Sequence, residues 1–111
     1  MKLGSVGEVI ANRKFTLIQE GREPAEVEVL MGKPERFPDH NDYYCPYQIT
    51  GMGREKVVAI GGVDAFQAIQ LALSTIAVEL EVMEKESGGK LSWDASENGD
   101  LGFPERDSKK E

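Results

Sequence analysis

Between Ala65 and Glu86 the apolar residues recur at a 3.6-residue period, and no other part of the chain has that pattern. Asp64 supplies an N-cap, and Gln67, three residues on, is placed to reach back as in a capping box. Gly88 or Gly89 ends the run. The spacing predicts one helix of roughly 33 Å at 1.5 Å per residue. At 100° per residue, Ala65, Ile69, Ala72, Leu73, Ile76, Leu80 and Met83 fall on one stripe, while Gln67, Gln70, Ser74, Glu81 and Lys85 fall on a polar face. A second apolar stripe, Leu71, Val78 and Val82 with Thr75 between them, lies on the flank of the first. A packed layer covers a stripe a little over 100° wide, so the second stripe needs its own cover. Leu91, Trp93, Leu101 and Phe103 are the expected cover, because two glycines let the chain turn back after the helix. Whatever they leave exposed is a candidate interaction surface: Leu71, Thr75, Val78 and Val82.

The first half of the chain has the period of strands. Gly7 to Gln19 reads as a strand with a bulge near Ala11 to Arg13. Glu20 to Pro24 is a turn. Ala25 to Met31 alternates cleanly, Val27, Val29 and Met31 against Glu26 and Glu28. Gly32 to Asn41, with Pro34 and Pro38, reads as an exposed loop. Asp42 to Thr50 places Tyr43, Cys45, Tyr47 and Ile49 on one face; Pro46, which has no amide to donate, must face an edge or a bulge. Arg54 to Ile60 is a fourth strand. Short connections favour an antiparallel meander. The predicted fold class is α+β: a four-stranded antiparallel β-meander packed by one long helix in the C-terminal half, with a short C-terminal strand or extended tail. One domain is expected over 7–104. A polar tail over 105–111, lacking any apolar residue, is expected to be disordered.

Charge narrows the function. The chain has 13 basic and 20 acidic residues, a net charge of −7. Residues 1–60 carry 8 basic and 9 acidic side chains; residues 61–111 carry 5 and 11. No basic stripe exists to displace the counterions of a nucleic acid, so nucleic-acid binding is not expected. An acidic half suits solubility or a partner with a basic face. Met1 to Ile10 lacks the apolar core of a signal peptide. The most apolar stretch, Val63 to Val82, is interrupted by Asp64, Gln67, Gln70, Ser74, Glu79 and Glu81, so it reads as amphipathic and not as a membrane span. Cys45 is the single cysteine, which excludes an intrachain disulfide and fits a reducing cytoplasm.

No catalytic constellation emerges, and no catalytic, cofactor-binding or metal-ligating residue is assigned. His40 and Cys45 are the lone imidazole and thiol, yet five residues apart they form no recognised pair; Cys45, on the apolar side of its strand, is expected to be a buried small hydrophobe. Asp94 to Glu105 matches the twelve-residue pattern of a calcium loop, with acceptors at Asp94, Ser96 and Asn98, Gly99 at the sixth position and Glu105 at the last. Neither flank reads as a helix, so a plain turn is expected. Gly61-Gly62 precedes a helix, but Asp64 already holds the cap and repels phosphate. Glu79, Glu81, Glu84 and Glu86 read as a solvated face; the competing reading is a dock for a basic partner.

Several phrases together resemble a family of small bacterial proteins of unknown function. They are Cys45-Pro46-Tyr47-Gln48-Ile49-Thr50-Gly51-Met52-Gly53, Gly62-Val63-Asp64-Ala65-Phe66-Gln67-Ala68-Ile69-Gln70-Leu71-Ala72-Leu73, Gly88-Gly89-Lys90-Leu91-Ser92-Trp93 and Gly99-Asp100-Leu101-Gly102-Phe103-Pro104. The resemblance covers about Val9 to Pro104 and implies no activity. The order of strands then an Asp-capped helix also resembles the antitoxin half of certain bacterial toxin–antitoxin pairs, without their DNA-binding appendage. The expected function is therefore a small non-catalytic interaction or regulatory module, forming a homodimer or binding a protein partner. The alternative is a small-molecule binder or enzyme with a pocket between sheet and helix, using Tyr43, Tyr44, Tyr47 or His40.

Overall fold

Alternating residues in the first fifty positions build a sheet with one apolar face, and that face receives the helix. The computed structural model describes residues 3–104. It contains β1 (Val9–Ile18), β2 (Ala25–Gly32), β3 (Glu35–Arg36), β4 (Tyr43–Thr50), β5 (Val58–Gly62), α1 (Ala65–Ser87) and β6 (Lys90–Ser92). The architecture is α+β, one helix on an antiparallel sheet. Six strands are present where four were predicted, and the helix sits mid-chain with a further strand after it. The two strands beyond the meander are short, and β6 is the short C-terminal strand offered as one of two readings of that segment. The pair β3 (Glu35↔Tyr44, Arg36↔Tyr43) lies in the segment read as an exposed loop, and β6 (Thr16↔Ser92 to Ile18↔Lys90) adds to the free edge of β1. The tail expected over 105–111 lies outside the described residues.

The chain order explains the sheet. β1 and β2 form a hairpin with Phe15 opposite Val27, β2 pairs with β4, and β4 pairs with β5 on its other side. The helix then crosses the face, and β6 joins the far edge beside β1. The bulge expected near Ala11 to Arg13 falls one step earlier, between Val9 and Ala11. From Ala11 onward the odd-numbered residues of β1 face the helix. Pro46 meets a bulge and not an edge. Four positions separate Met31 from Glu35 along β2 and β3, against three from Tyr47 to Tyr44 on β4, so one extra residue lies opposite it. The fourth strand begins at Val58, not Arg54, because Glu55 holds the preceding loop: its carboxylate accepts from the Gly51 N–H at 2.9 Å and its carbonyl from the Gln48 amide at 2.5 Å.

The helix forms as its caps dictate. The Asp64 carboxylate accepts from the Gln67 N–H at 2.8 Å, and the Gln67 side chain accepts from the Val63 N–H at 2.8 Å, one residue before the cap. Gly88, with φ at 72°, closes the C-terminus in the left-handed conformation. Ala68, Ala72, Ile76, Leu80 and Met83 are buried against Phe15, Leu17, Val27, Val29, Met31, Cys45, Tyr47 and Ile49. Length and apolarity alone would allow α1 to cross a membrane, with a mean hydropathy of 1.3 over its most apolar window; here its main stripe is the core of the fold. Gly62 is obligatory for that approach, since a Cβ there would lie 2.5 Å from the Ala68 nitrogen.

Truncating the core and the flank of α1 should separate cleanly. Leu80→Ala, at a fully buried position, is expected to lower stability by about 2–5 kcal/mol, and Val82→Ala, two residues on, by under about 1 kcal/mol. Urea unfolding of the two variants checks the difference.

Candidate functional site

The second stripe of α1 is the first place to look for a site. Leu71 and Val82 remain 44% exposed, with Thr75 and Val78 half-buried between them. The C-terminal segment does not cover them, contrary to expectation. Leu91 is buried beside Leu17 in the β1–β6 pair, and Phe103 packs at 6.3 Å from the Phe15 ring, on the opposite flank of the helix. The reason is Arg13. Its guanidinium lies 4.0 Å over the centre of the Trp93 ring and 4.8 Å from that of Phe103, and its Nη1 donates to the carbonyls of Gly102 (2.8 Å) and Leu101 (3.3 Å). A cation over two aromatic rings, with its Nη1 bonded to two carbonyls, ties the segment to β1. Gly102 permits this closeness: a Cβ there would lie 2.3 Å from Trp93, and its φ is 84°.

The stripe and the β5 edge lie on the same side of the molecule. From this flank of α1 the chain reaches β4 and β5: Tyr47 on β4 donates its hydroxyl to Glu79, Arg54 before β5 pairs with Glu86, and Ala68 sits on Gly62. β5 pairs only with β4 among the described strands, so its outer edge is open. It carries Val58-Ala59-Ile60-Gly61-Gly62, without a charge or a proline.

The acidic cluster is largely engaged inside the chain. Glu79 accepts from Tyr47, Glu84 accepts from the Leu91 N–H at 2.8 Å, and Glu86 pairs with Arg54. Each bond ties the end of α1 to a different neighbour. Of the four acids, Glu81 alone has no partner among the described residues.

A cavity of about 140 Å³ opens on the other flank, between α1, β1 and β2. The tyrosines expected to line a pocket there do not converge on it. Tyr43 packs against the core, Tyr44 tilts against Phe37 at 5.1 Å, and Tyr47 is buried with its hydroxyl on Glu79. The lining comes from Ala11, Asn12, Arg13, Val29, Met31, Leu73, Ile76 and Phe103. Arg13 is the residue that sequence reasoning missed. The available signal was a lone cation at a core-facing position of β1, two steps from Phe15, in a chain with unassigned aromatics downstream.

The remaining candidates separate in space. His40 is exposed and stacks on Phe37 at 4.5 Å, its Nδ1 accepting from the Asp42 N–H at 3.3 Å. Cys45 is fully buried, and burial pushes its thiol up to about 11. Burial, then the hydrogen bond and charge of Glu79, push the Tyr47 hydroxyl well above the ordinary tyrosine range. In the segment read as a calcium pattern, Asn98 accepts from the Asp100 N–H at 3.1 Å and Asp100 from the Gly102 N–H at 2.9 Å, which are turn bonds. Glu105 lies outside the described residues. Among the described residues no three His, Cys, Asp or Glu side chains converge to hold a metal ion.

Two outcomes follow from these groups. Between about pH 9 and 11 the unfolded chain gives up the Cys45 proton while the native state keeps it, so stability should fall with rising pH by roughly 2–3 kcal/mol. Cys45→Val should flatten that part of a melting-temperature profile, and native Cys45 should react with a thiol reagent far more slowly than a peptide thiol. Tyr47→Phe leaves Glu79 without its donor and is expected to lower stability by about 1–3 kcal/mol at neutral pH, measured by thermal unfolding.

A family model described as a domain of unknown function (DUF6968) matches residues 11–105. No curated protein and no solved structure gives a significant match.

Proposed function

The chain belongs to DUF6968, a family of unknown function, and on the geometry of its surface we propose that it is a small, non-catalytic, bacterial interaction module that self-associates through one flank of α1. One observation carries this reading: Leu71 and Val82 stand exposed, with Thr75 and Val78 half-buried between them, along the helix beside the open edge of β5. Their spacing of four, three and four residues is that of a coiled-coil seam, which packs on a copy of itself. A two-fold axis beside β5 would bring the same stripe from each copy together, as an isologous interface requires. The bare edge of β5 extends that surface, since an edge without charge or proline is open to pairing. A reducing cytoplasm suits the single unpaired thiol.

The competing occupant is a basic protein, as in a toxin neutraliser. It is less well supported, because Glu79, Glu84 and Glu86 already have partners inside the chain. Salt separates the two. Copies that each carry −7 repel, so added salt should strengthen an apolar self-association and weaken a complex with a basic partner.

Sedimentation tests the proposal. The unaltered protein is expected to be dimeric, more completely so at high salt, and Val78→Glu is expected to give a monomer with an unchanged circular dichroism spectrum. A monomeric unaltered protein at about 100 μM, far above the Kd of a specific homodimer, would overturn it. So would a Val78→Glu protein that remains dimeric.

A further inference from the structure

The cavity on the opposite flank of α1 combines two features that together define a ligand. Its lining is mainly apolar, Val29, Met31, Leu73, Ile76 and Phe103, with Ala11 and Asn12 beside them. Its volume, about 140 Å³, is close to that of cavities known to hold a benzene ring, about 150 Å³. The second feature is the cation at the rim. Arg13 has five N–H donors, and its two recorded bonds, both from Nη1, go to the neutral carbonyls of Leu101 and Gly102. Among the described residues no carboxylate lies within 4.0 Å of it. Its Cζ lies over the Trp93 and Phe103 rings, and among the described residues Nε and Nη2 make no hydrogen bond. The Nε–Nη2 edge is the one that matches a carboxylate with two parallel bonds. A cation beside apolar walls, its own charge uncompensated among the described residues, is complementary to an anion with an apolar body.

We propose that this cavity binds a small carboxylic acid bearing a single ring or a branched alkyl group, with the apolar body between β1, β2 and α1 and the carboxylate on Arg13. The site lies across the helix from the Leu71–Val82 stripe, so it stands or falls independently of self-association.

Benzoate is the probe, with benzyl alcohol (the same ring without the charge) and acetate (the charge without the ring) as comparisons. Trp93 is the only tryptophan and stacks on Arg13, so its fluorescence reports occupancy directly. Benzoate is expected to give a saturable change, with half-saturation about tenfold or more below that of either comparison compound, a difference of about 1.4 kcal/mol. Backbone and methyl NMR shifts should concentrate on Val29, Met31, Leu73 and Ile76. Leu73→Phe, which fills the cavity, should abolish the response. If that variant fails to fold, the shift map of the unaltered protein still decides the location. Absence of saturation at about 10 mM benzoate, well above the range of a specific ligand, would overturn the proposal. Equal half-saturation by benzyl alcohol would do so as well, as would shifts confined to another surface.

Discussion

Everything in this fold depends on how closely α1 can approach the sheet at β5. Small residues set that distance. Ala68 and Ala72 occupy the N-terminal half of the buried stripe, and Gly62 beneath them leaves no space for a Cβ. Larger residues, Ile76, Leu80 and Met83, fill the C-terminal half. A straight helix cannot follow a twisted sheet along its whole length. Tight contact over β5 therefore leaves a wedge elsewhere, and the wedge lies beside Leu73 over β1 and β2. The C-terminal segment is drawn there, where Phe103 packs against Phe15 and lines the remaining space. The cavity and the Arg13 clamp are thus consequences of one close contact at the other side of the helix.

The same geometry resolves an electrostatic problem. Four glutamates in the C-terminal half of α1 oppose the helix dipole, which favours cations at a C-terminus. Three of them are satisfied by groups beyond the helix: a tyrosine hydroxyl on β4, an arginine before β5 and a backbone N–H on β6. Each acid therefore acts as a tie between layers. The Arg54–Glu86 pair is exposed on both sides and adds little to stability. The Tyr47–Glu79 contact, with Tyr47 fully buried, carries more, because the hydroxyl has no water to turn to.

Most of the architecture was legible because it rests on local periodicity. The helix ran from the predicted Ala65 to within a residue of its predicted end, and Asp64 capped it, since capping chemistry is encoded in a few adjacent positions. The faces of β2 and β4 followed from alternation alone. What was not legible depends on contacts far apart in sequence. β3 is two residues that pair only because β2 continues past a bulge along β4. The destination of the C-terminal segment cannot be read from apolar surface alone, because it is set by Arg13, whose partners are 80 residues or more away. The candidate stripe was legible as a pattern on the helix wheel, whereas its position beside the open β5 edge required the sheet order.

That sheet order gives the two edges different characters. β6 is three residues long, pairs only with Thr16 to Ile18 of β1, and is followed at once by the segment that the Arg13 side chain holds. β5 ends the meander, and its five residues include none of the charges or prolines by which edge strands are blunted. The chain reverses at Gly62 directly into α1, which places the helix flank and the strand edge side by side. An apolar seam with coiled-coil spacing and a bare strand edge are each ordinary on their own. Set next to each other on one side of the domain, they form a single surface with both side-chain and backbone groups to satisfy. In the proposed self-association a second copy would offer the same two features in the same relation, and that self-complementarity is the ground for proposing it over an unrelated partner.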